Sequence, residues 1–268
     1  MNENNTDKLS MMLKNYKKGG FDALVILGGN GTHKSAHLLS EKGVNVVTMP
    51  KTIDNDIYGT ELSFGFDSAV DRATSVIDAI HTTAASHGRI FVIELMGHKA
   101  GWIALYAGVA GGADIILLPE IPYDPEKVAQ ELEKRNRSEK TFSIIAIAEG
   151  ALSKDEMRKG SKNGEQSVGI RLAKALQERL HQEDVRVTIP GHFQRGGDPT
   201  PIDRILCSRL GAKAGELVRD GRFGRMAAVH GNNVVSVPLD EVAGKLKTIT
   251  PDCEMLNQAR LLGISFGV

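Results

Sequence analysis

Short apolar runs alternate with segments of helical spacing along most of this chain of 268 residues, and no other feature constrains its fold as strongly. Each run is short and ends at glycine, proline or polar residues, which is typical of a buried strand. Strands that are apolar on both faces and separated by helices indicate a mainly parallel α/β sheet. Because parallel crossovers are right-handed, a doubly wound sandwich is the expected arrangement.

The predicted elements cover most of the chain. Strands are predicted at residues 21–27, 44–48, 89–95, 115–118, 142–148 and 185–189, and a small strand pair at 226–229 and 234–237. Helices are predicted at residues 32–42, 68–84, 102–110, 125–135, 169–182 and 201–219. The polar stretch 153–167 is predicted to be a surface loop or insertion.

Composition and charge narrow the class of protein. A hydrophobic fraction of 41% with 25% charged residues excludes collagen-like, low-complexity and disordered chains. Lys plus Arg and Asp plus Glu both number 33, so no net field attracts nucleic acid or an anionic membrane. The polar residues 1–10 do not resemble a signal peptide, and no apolar run is long enough to span a bilayer. Two cysteines in no ligand spacing favour reduced thiols, and we expect a soluble cytoplasmic protein without a membrane or nucleic-acid partner.

A glycine-rich turn follows the first predicted strand. Residues 28–32 read Gly-Gly-Asn-Gly-Thr and lead into a predicted helix. Glycines let backbone N–H groups approach a polyphosphate, and a helix N-terminus favours an anion. A tight strand-to-helix turn without a ligand is an equally good interpretation of this loop alone.

Two carboxylates, Asp54 and Asp56, lie in the loop that follows the second predicted strand. Phosphoryl transfer needs one group that accepts the proton of the nucleophile and another that holds a metal ion against the phosphate charge. A solvated Asx-rich turn is the alternative. At the carboxyl end of a strand, where α/β proteins bind ligands, the chemical interpretation is favoured.

Cationic and polar residues near later strands are typical of a phosphorylated substrate. His192 and Arg195 follow the sixth strand, Arg186 lies in that strand, and Arg89 begins the third. An arginine holds phosphate through its planar fork, although any one of them alone is more often a surface charge. Glu149, which ends the fifth strand, is a candidate for sugar hydroxyl groups or for a helix cap.

Taken together, the motifs at 28–32, 50–56, 96–97, 149 and 191–199 resemble those of the 6-phosphofructokinase family, in the same order and strand context over nearly the whole chain. The combination of TIDND with GHFQRGG is the specific part. The resemblance implies two doubly wound α/β domains with chain crossovers between them. It also implies phosphorylation of the 1-hydroxyl of fructose 6-phosphate, a step of glycolysis, with Mg²⁺ and either ATP or pyrophosphate.

The resemblance assigns roles to individual residues. Asp54 is the general base, Thr52 lies at the point of phosphoryl transfer, and Asp56 with Asn30 is associated with the metal. The phosphate donor contacts Gly28, Gly29, Asn30, Gly31, Thr32 and Lys51. The sugar phosphate contacts Arg89, Met96, Gly97, His98, Glu149, Arg186, His192 and Arg195. In this family Arg89 reaches the site of a neighbouring subunit, which implies a homo-oligomer, usually a tetramer.

Several positions depart from the family pattern. Asn30 stands where the usual GGDG has aspartate, and His98 stands where many members have arginine. Gly31 is of the ATP type and Lys51 of the pyrophosphate type, and we expect ATP as the donor. The strand and the GGDxPGxN-like loop with which family members begin have no counterpart, so we expect an exposed sheet edge and a bare apolar face.

The domain assignment that the resemblance implies puts residues 1–65 and 194–244 in a nucleotide domain. Residues 66–193 and 245–268 form the sugar-phosphate domain. In bacterial members an effector site lies between subunits, and Asp114 matches a carboxylate that coordinates the magnesium of the effector. Two other functions stay open. One is a non-catalytic subunit that binds fructose 6-phosphate without turnover; the other is a NAD or lipid kinase, on the glycine loop alone.

Overall fold

The computed structural model describes residues 3–138, 140–160, 166–180 and 184–268, which divide into two compact units. Unit 1 comprises Met1–Thr52, Asp56–Gly65 and Pro201–Lys247, and unit 2 comprises Ile53–Asn55, Phe66–Thr200 and Thr248–Val268. Each unit is therefore assembled from three stretches of chain. The assignment of one unit to the nucleotide and of the other to the sugar phosphate stays a prediction.

The elements in chain order are α1 (Glu3–Gly19), β1 (Leu24–Gly28), α2 (Asn30–Glu41), β2 (Val46–Pro50), α3 (Phe66–His87), β3 (Ile90–Leu95), α4 (Trp102–Ala110), β4 (Ile115–Leu117), α5 (Pro125–Arg137), β5 (Ser143–Ala148), α6 (Lys154–Arg158), α7 (Val168–Leu180), β6 (Val185–Thr188), a 3-10 helix (Gly191–Arg195), α8 (Pro201–Arg219), β7 (Arg225–His230), β8 (Asn233–Pro238), α9 (Leu239–Val242) and α10 (Glu254–Leu261).

Unit 1 is built on a four-stranded sheet in the order β1-β2-β7-β8. The first three strands are parallel, and β7 pairs with β8 antiparallel. The sequence predicted these last two strands as a small pair. One apolar cluster includes residues of α2 and α9 with the half-buried Leu9, Leu13 and Tyr16 of α1. A second cluster joins β2 and β7 to α8.

The edge strand β1 is less buried than its apolar sequence suggests. Val25 and Leu27 are each 44% exposed, whereas Leu24 and Ile26 on the alternate face are half-buried in the first cluster. Phe21, which the sequence placed in this strand, precedes it and is also exposed. The alternation of a strand therefore separates a packed face of β1 from an apolar face that the described residues leave partly open.

Unit 2 contains a fully parallel sheet in the order β4-β5-β3-β6. The central strand β5 is buried at all six positions, which explains its unbroken apolar sequence. Helices α5 and α7 pack together on the cluster that covers the sheet. Asp124 caps α5 by accepting a hydrogen bond from the N–H of Glu126, and Pro125 is at the first helical position, where it needs no donor.

The boundaries of several helices and strands differ from the sequence predictions. Helix α3 is longer than predicted at both ends, and β2 begins at Val46 rather than at residue 44. Within the polar stretch 153–167, Ser153 and Glu156 form a reciprocal capping box that starts the short helix α6. Residues 161–165 of that stretch, and the predicted helix end at 181–182, lie outside the described residues. No helix in the described part of the chain is both long and apolar enough to cross a membrane.

Candidate active site

The glycine-rich turn of unit 1 connects β1 directly to α2. A Cβ atom at Gly28 would lie 2.3 Å from the Thr32 hydroxyl oxygen, so this position requires glycine. Asn30, Gly31 and Thr32 form the first turn of α2. The N–H of Thr32 donates to the carbonyl oxygen of Gly29 at 3.0 Å, whereas the first N–H groups of a helix, here those of Asn30 and Gly31, have no acceptor within the helix. A Cβ atom at Gly31 would meet no atom within 4 Å. The turn therefore offers an open, glycine-lined helix N-terminus, the geometry expected for a phosphate group.

The loop after β2 lies beside this turn. The N–H of Lys51 donates to the carbonyl oxygen of Gly28 at 3.0 Å, and a Cβ atom at Gly29 would lie 3.7 Å from that of Thr52. The Thr52 carbonyl oxygen accepts a 2.8 Å bond from the Ser63 hydroxyl. The structure thus brings together the residues that the sequence assigned to the phosphate donor.

Asn30 and Asp56, the two predicted metal ligands, are joined by a hydrogen bond between a side chain and the backbone. The Asn30 side-chain amide donates to the backbone carbonyl of Asp56 at 3.1 Å, and the N–H of Lys247 donates to the same oxygen at 2.9 Å. Asp56 is only 4% exposed. An aspartate at position 30 has no donor for this contact, so the asparagine couples the glycine turn to the Asp56 segment in a way the GGDG pattern does not predict.

Lys247 is a member of this cluster that sequence analysis missed. Its ammonium donates to the carbonyl oxygens of Thr60 at 2.9 Å and Glu61 at 2.7 Å. Burial lowers its pKa to about 8, although the charges of Asp56 and Glu61 act in the opposite direction. The surrounding sequence contains no motif, so only the fold could reveal that this lysine lies beside the candidate site.

Between Thr52 and Asp56 the chain leaves unit 1 and returns, and Asp54 belongs to unit 2. Asn55 has a backbone φ of 50° and is 3% exposed. Asparagine tolerates this left-handed conformation better than most residues, which explains its place between the two aspartates. The Asp54 side chain is half-buried, and its Oδ1 atom is shielded from solvent.

In unit 2 the loop after β3 is held by the carboxylate of Glu149, which follows β5. Glu149 Oε1 accepts the N–H of Gly97 at 3.1 Å and that of His98 at 2.6 Å. Gly97 has a φ of 149° and His98 a φ of 54°. The sequence predicted that Glu149 either binds sugar hydroxyl groups or caps a helix. In the structure, its Oε1 atom accepts hydrogen bonds from the backbone of this loop.

The second loop of unit 2 contains the 3-10 helix after β6. His192 and Arg195 are exposed on this turn. Gly197 has a φ of 79°, and a Cβ atom there would lie 2.7 Å from Nε of Arg72. The hydroxyl of Thr200 then binds the first turn of α3 through Asp67. These contacts fix a short segment whose cationic side chains face solvent.

Arg89 and Arg186 converge on one carboxylate, that of Asp184. Arg89 Nε lies 2.6 Å from Asp184 Oδ2, and Arg186 Nε lies 2.8 Å from Oδ1. Arg89 precedes β3, whereas Met96 follows it, and a strand of this length separates its ends by about 20 Å. The structure therefore does not bring Arg89 near the loop of Met96.

Asp114, which the resemblance linked to an effector, is engaged within its own unit. Its Oδ1 atom lies 2.6 Å from Arg135 Nη2, and its Oδ2 atom accepts the N–H of Ile144 at 2.9 Å. Burial raises the pKa of Asp114, and the bond from Ile144 and the charge of Arg135 oppose that rise.

Comparison with known proteins gives a consistent set of relatives. A sequence model described as Phosphofructokinase matches residues 1–218. An ATP-dependent 6-phosphofructokinase of Spirochaeta thermophila is 50% identical, with 97% of this chain and 73% of that protein covered. ATP-dependent 6-phosphofructokinase 3 of Bacteroides thetaiotaomicron is 48% identical, with 97% and 75% covered.

Solved structures agree on the fold. A pyrophosphate-dependent phosphofructokinase from Nitrosospira multiformis superimposes with a TM-score of 0.82 at 20% identity, over 92% of this chain and 66% of that one. Phosphofructokinase from Saccharomyces cerevisiae gives a TM-score of 0.77 at 30% identity, over 88% and 34%. These structures therefore share the α/β fold of this chain.

Proposed function

Because this chain belongs to the phosphofructokinase family, we propose that it is a kinase that transfers a phosphoryl group from ATP to the 1-hydroxyl of fructose 6-phosphate in glycolysis. The observation that carries the proposal is its identity of 45–50% with proteins named ATP-dependent 6-phosphofructokinase over at least 95% of its length. The product is fructose 1,6-bisphosphate.

Asp54 is the group that we assign to take the proton of the attacking hydroxyl. An aspartate with an ordinary pKa near 4 is a weak base toward an alcohol. It is effective only where cationic groups stabilise the charge that develops on the transferred phosphoryl group. Thr52 is assigned to the transfer point, and the N-terminal turn of α2 supplies backbone donors for the phosphates of the donor.

The residues present fit a magnesium ion. Asp56 supplies a buried carboxylate, and Asn30 supplies a side-chain oxygen while its amide nitrogen is bonded to Asp56. No cluster of three or more acidic, histidine or cysteine ligands occurs among the described residues. Magnesium in phosphoryl transfer needs only one or two carboxylates, because water and substrate phosphates complete its shell. When bound, the ion would offset the phosphate charge.

The donor is assigned as ATP on the names of the relatives and on the space at Gly31. A Cβ atom at that position would meet nothing within 4 Å, which leaves room for a nucleotide phosphate. Lys51, whose side chain is exposed, is the observation that favours pyrophosphate as the alternative donor. Its ammonium would take the space of the nucleotide α-phosphate.

Two copies of the chain are needed for the complete sugar-phosphate clamp that we propose. His192 and Arg195 follow the carboxyl end of β6, whereas Arg89 lies at the amino end of the neighbouring strand β3. Arg186, near the amino end of β6, shares the Asp184 carboxylate with Arg89. We propose that Arg89 and Arg186 serve the phosphate site of another copy, and their distance along the strands from His192 and Arg195 supports the proposed homo-oligomer. We propose the cytoplasm, where glycolytic substrates occur, as its location.

The test is fructose 1,6-bisphosphate formation by the purified chain with magnesium and fructose 6-phosphate, with ATP and pyrophosphate as alternative donors. Turnover with ATP and none with pyrophosphate supports the assignment. Turnover with pyrophosphate alone would replace ATP as the donor. Binding of fructose 6-phosphate without turnover by a folded chain would instead indicate a non-catalytic subunit.

A further inference from the structure

Gln194 is the buried residue of the 3-10 helix that carries His192 and Arg195. It is 2% exposed, while both cationic neighbours are exposed. Gln194 is the buried side chain of this five-residue turn. Burial removes water from its amide, and this loss of hydration must be compensated by hydrogen bonds within the protein.

The side-chain amide of Gln194 joins two loops that are distant in sequence. Its Oε1 atom accepts the N–H of Met96 at 3.2 Å, and its Nε2 atom donates to the carbonyl oxygen of Gly191 at 3.2 Å. One bond holds the loop after β3, and the other closes the turn on which Gln194 itself lies. The planar amide thereby sets the distance between the two loops.

Glutamine is suited to this place because its amide carries an acceptor and a donor without charge. A glutamate would keep the acceptor but lose the donor, and it would place a charge where only 2% of the side chain is exposed. An apolar side chain would leave the Met96 N–H without this acceptor.

We propose that Gln194 is a positioning residue for sugar-phosphate binding, which holds the Met96–His98 loop in register with His192 and Arg195. The inference rests on the proposed function, since those two loops contain the residues assigned to fructose 6-phosphate. Glu149 fixes the next two N–H groups of the same loop, so the loop backbone is set by two side chains from different elements.

The first test replaces Gln194 by methionine, which has a similar length but neither bond. We expect the Kd and KM for fructose 6-phosphate to rise about tenfold, the effect of a lost hydrogen bond in a buried position, while kcat and the KM for ATP change less than about twofold. The matched control is Gln177→Met, which removes a single bond to the carbonyl of Val185 at the amino end of β6. That variant should match the unaltered chain.

Hydrogen exchange gives a readout that does not depend on turnover. In the unliganded Gln194→Met variant, the amide of Met96 should exchange faster than in the unaltered chain, with no such change in Gln177→Met. If the unaltered chain neither binds nor phosphorylates the sugar, the proposed function fails and the role in sugar binding fails with it, whereas exchange at Met96 still shows whether Gln194 holds this loop. Unchanged exchange at Met96, or an equal loss of kcat and of both substrate affinities, would overturn the inference.

Gln194→Glu provides a second variant in case the methionine variant does not fold. A protonated carboxyl group regains the donor, so the KM ratio of this variant to the unaltered chain should fall as the pH is lowered. A ratio that is independent of pH in a folded variant would contradict the proposed hydrogen bond to Gly191.

Discussion

At the scale of single residues, the carboxylate of Asp54 carries the central claim of the proposed mechanism. In Asp54→Ser we expect kcat to fall about 10²–10⁴-fold, since a positioned general base contributes an effect of this size. Binding of fructose 6-phosphate, measured by calorimetry, should change little. Asp155→Ser is a suitable control because the Asp155 side chain is 78% exposed and pairs only at 3.7 Å with Arg158. A parallel loss of binding and turnover in Asp54→Ser would indicate a structural role instead.

His33 is fully buried in α2. Its Nδ1 atom lies 3.0 Å from the Thr48 hydroxyl, and burial lowers its pKa from 6.5 to about 4. The unfolded chain therefore binds a proton at a higher pH than the folded one. Stability that is fully present above pH 6.5 is lost as the pH falls toward 4, by on the order of 3 kcal/mol.

The measurement is the free energy of unfolding against pH for the unaltered chain and for His33→Asn. The asparagine variant should lack this part of the slope between pH 6.5 and 4. His87→Asn, at an exposed position, should retain it. Equal slopes in all three proteins would show that His33 titrates normally in the folded state.

Residues in recognisable motifs were accessible to sequence analysis, and those defined only by tertiary contacts were not. The resemblance grouped the donor-side residues. The structure gives a physical reason for the proximity of two of these segments, because the turn after β1 and Lys51 after β2 follow adjacent parallel strands. Lys247 has no motif around it. Gln194 lies inside a motif that was interpreted from its charged residues alone. Its proposed role depends on a hydrogen bond to a residue 98 positions away in sequence.

At the scale of elements, two helix glycines have opposite surroundings. A Cβ atom at Gly108 in α4 would lie 2.7 Å from Ile116 Cδ1 and 3.3 Å from the Cβ of Ala146, both in the buried sheet of unit 2. A Cβ atom at Gly211 in α8 would meet nothing within 4 Å. The first glycine permits close helix–sheet packing, whereas the second only adds backbone freedom to the unfolded chain.

Gly108→Ala should therefore lower the free energy of unfolding by about 1–3 kcal/mol through overpacking. Gly211→Ala should raise it by roughly 0.5–1 kcal/mol, because alanine favours the helix. Denaturant titration of both variants measures the difference. A destabilised Gly211→Ala, or an unchanged Gly108→Ala, would contradict the packing described for these helices.

The element predictions succeeded where burial makes the pattern strong. Strand β5 is apolar throughout and buried throughout, and its predicted span differs by one residue from the observed one. The first strand was predicted three residues too early, because Phe21 extends the apolar run although its side chain is 58% exposed. The α6 capping box was missed because Ser153 and Glu156 stand in a polar stretch without an apolar face to signal a helix.

At the scale of the whole molecule, the two units are each assembled from three stretches of chain, and periodicity alone does not predict that division. The resemblance implied crossovers near residues 65, 193 and 244, and the structural divisions fall at Gly65, Thr200 and Lys247. The excursion of Ile53–Asn55 into unit 2 was not anticipated. It assigns Asp54 to unit 2 and Asp56 to unit 1 although only one residue lies between them in sequence.

The proposed sharing of arginines between copies predicts that two inactive variants restore activity when they are combined. Asp54→Ser lacks the base but keeps Arg186, and Arg186→Ala keeps the base but lacks the arginine that, with Arg89, binds Asp184. In a randomly mixed oligomer, about a quarter of the sites would combine an intact Asp54 with an intact Arg186 from a neighbour, so about a quarter of the original activity should return.

Mixing Asp54→Ser with the double variant Asp54→Ser/Arg186→Ala controls for nonspecific stabilisation and should restore nothing. If the first mixture, shown to contain hybrid oligomers, also stays inactive, both residues must act within one copy, and the separation of Arg89 from the Met96 loop would then exclude the proposed clamp.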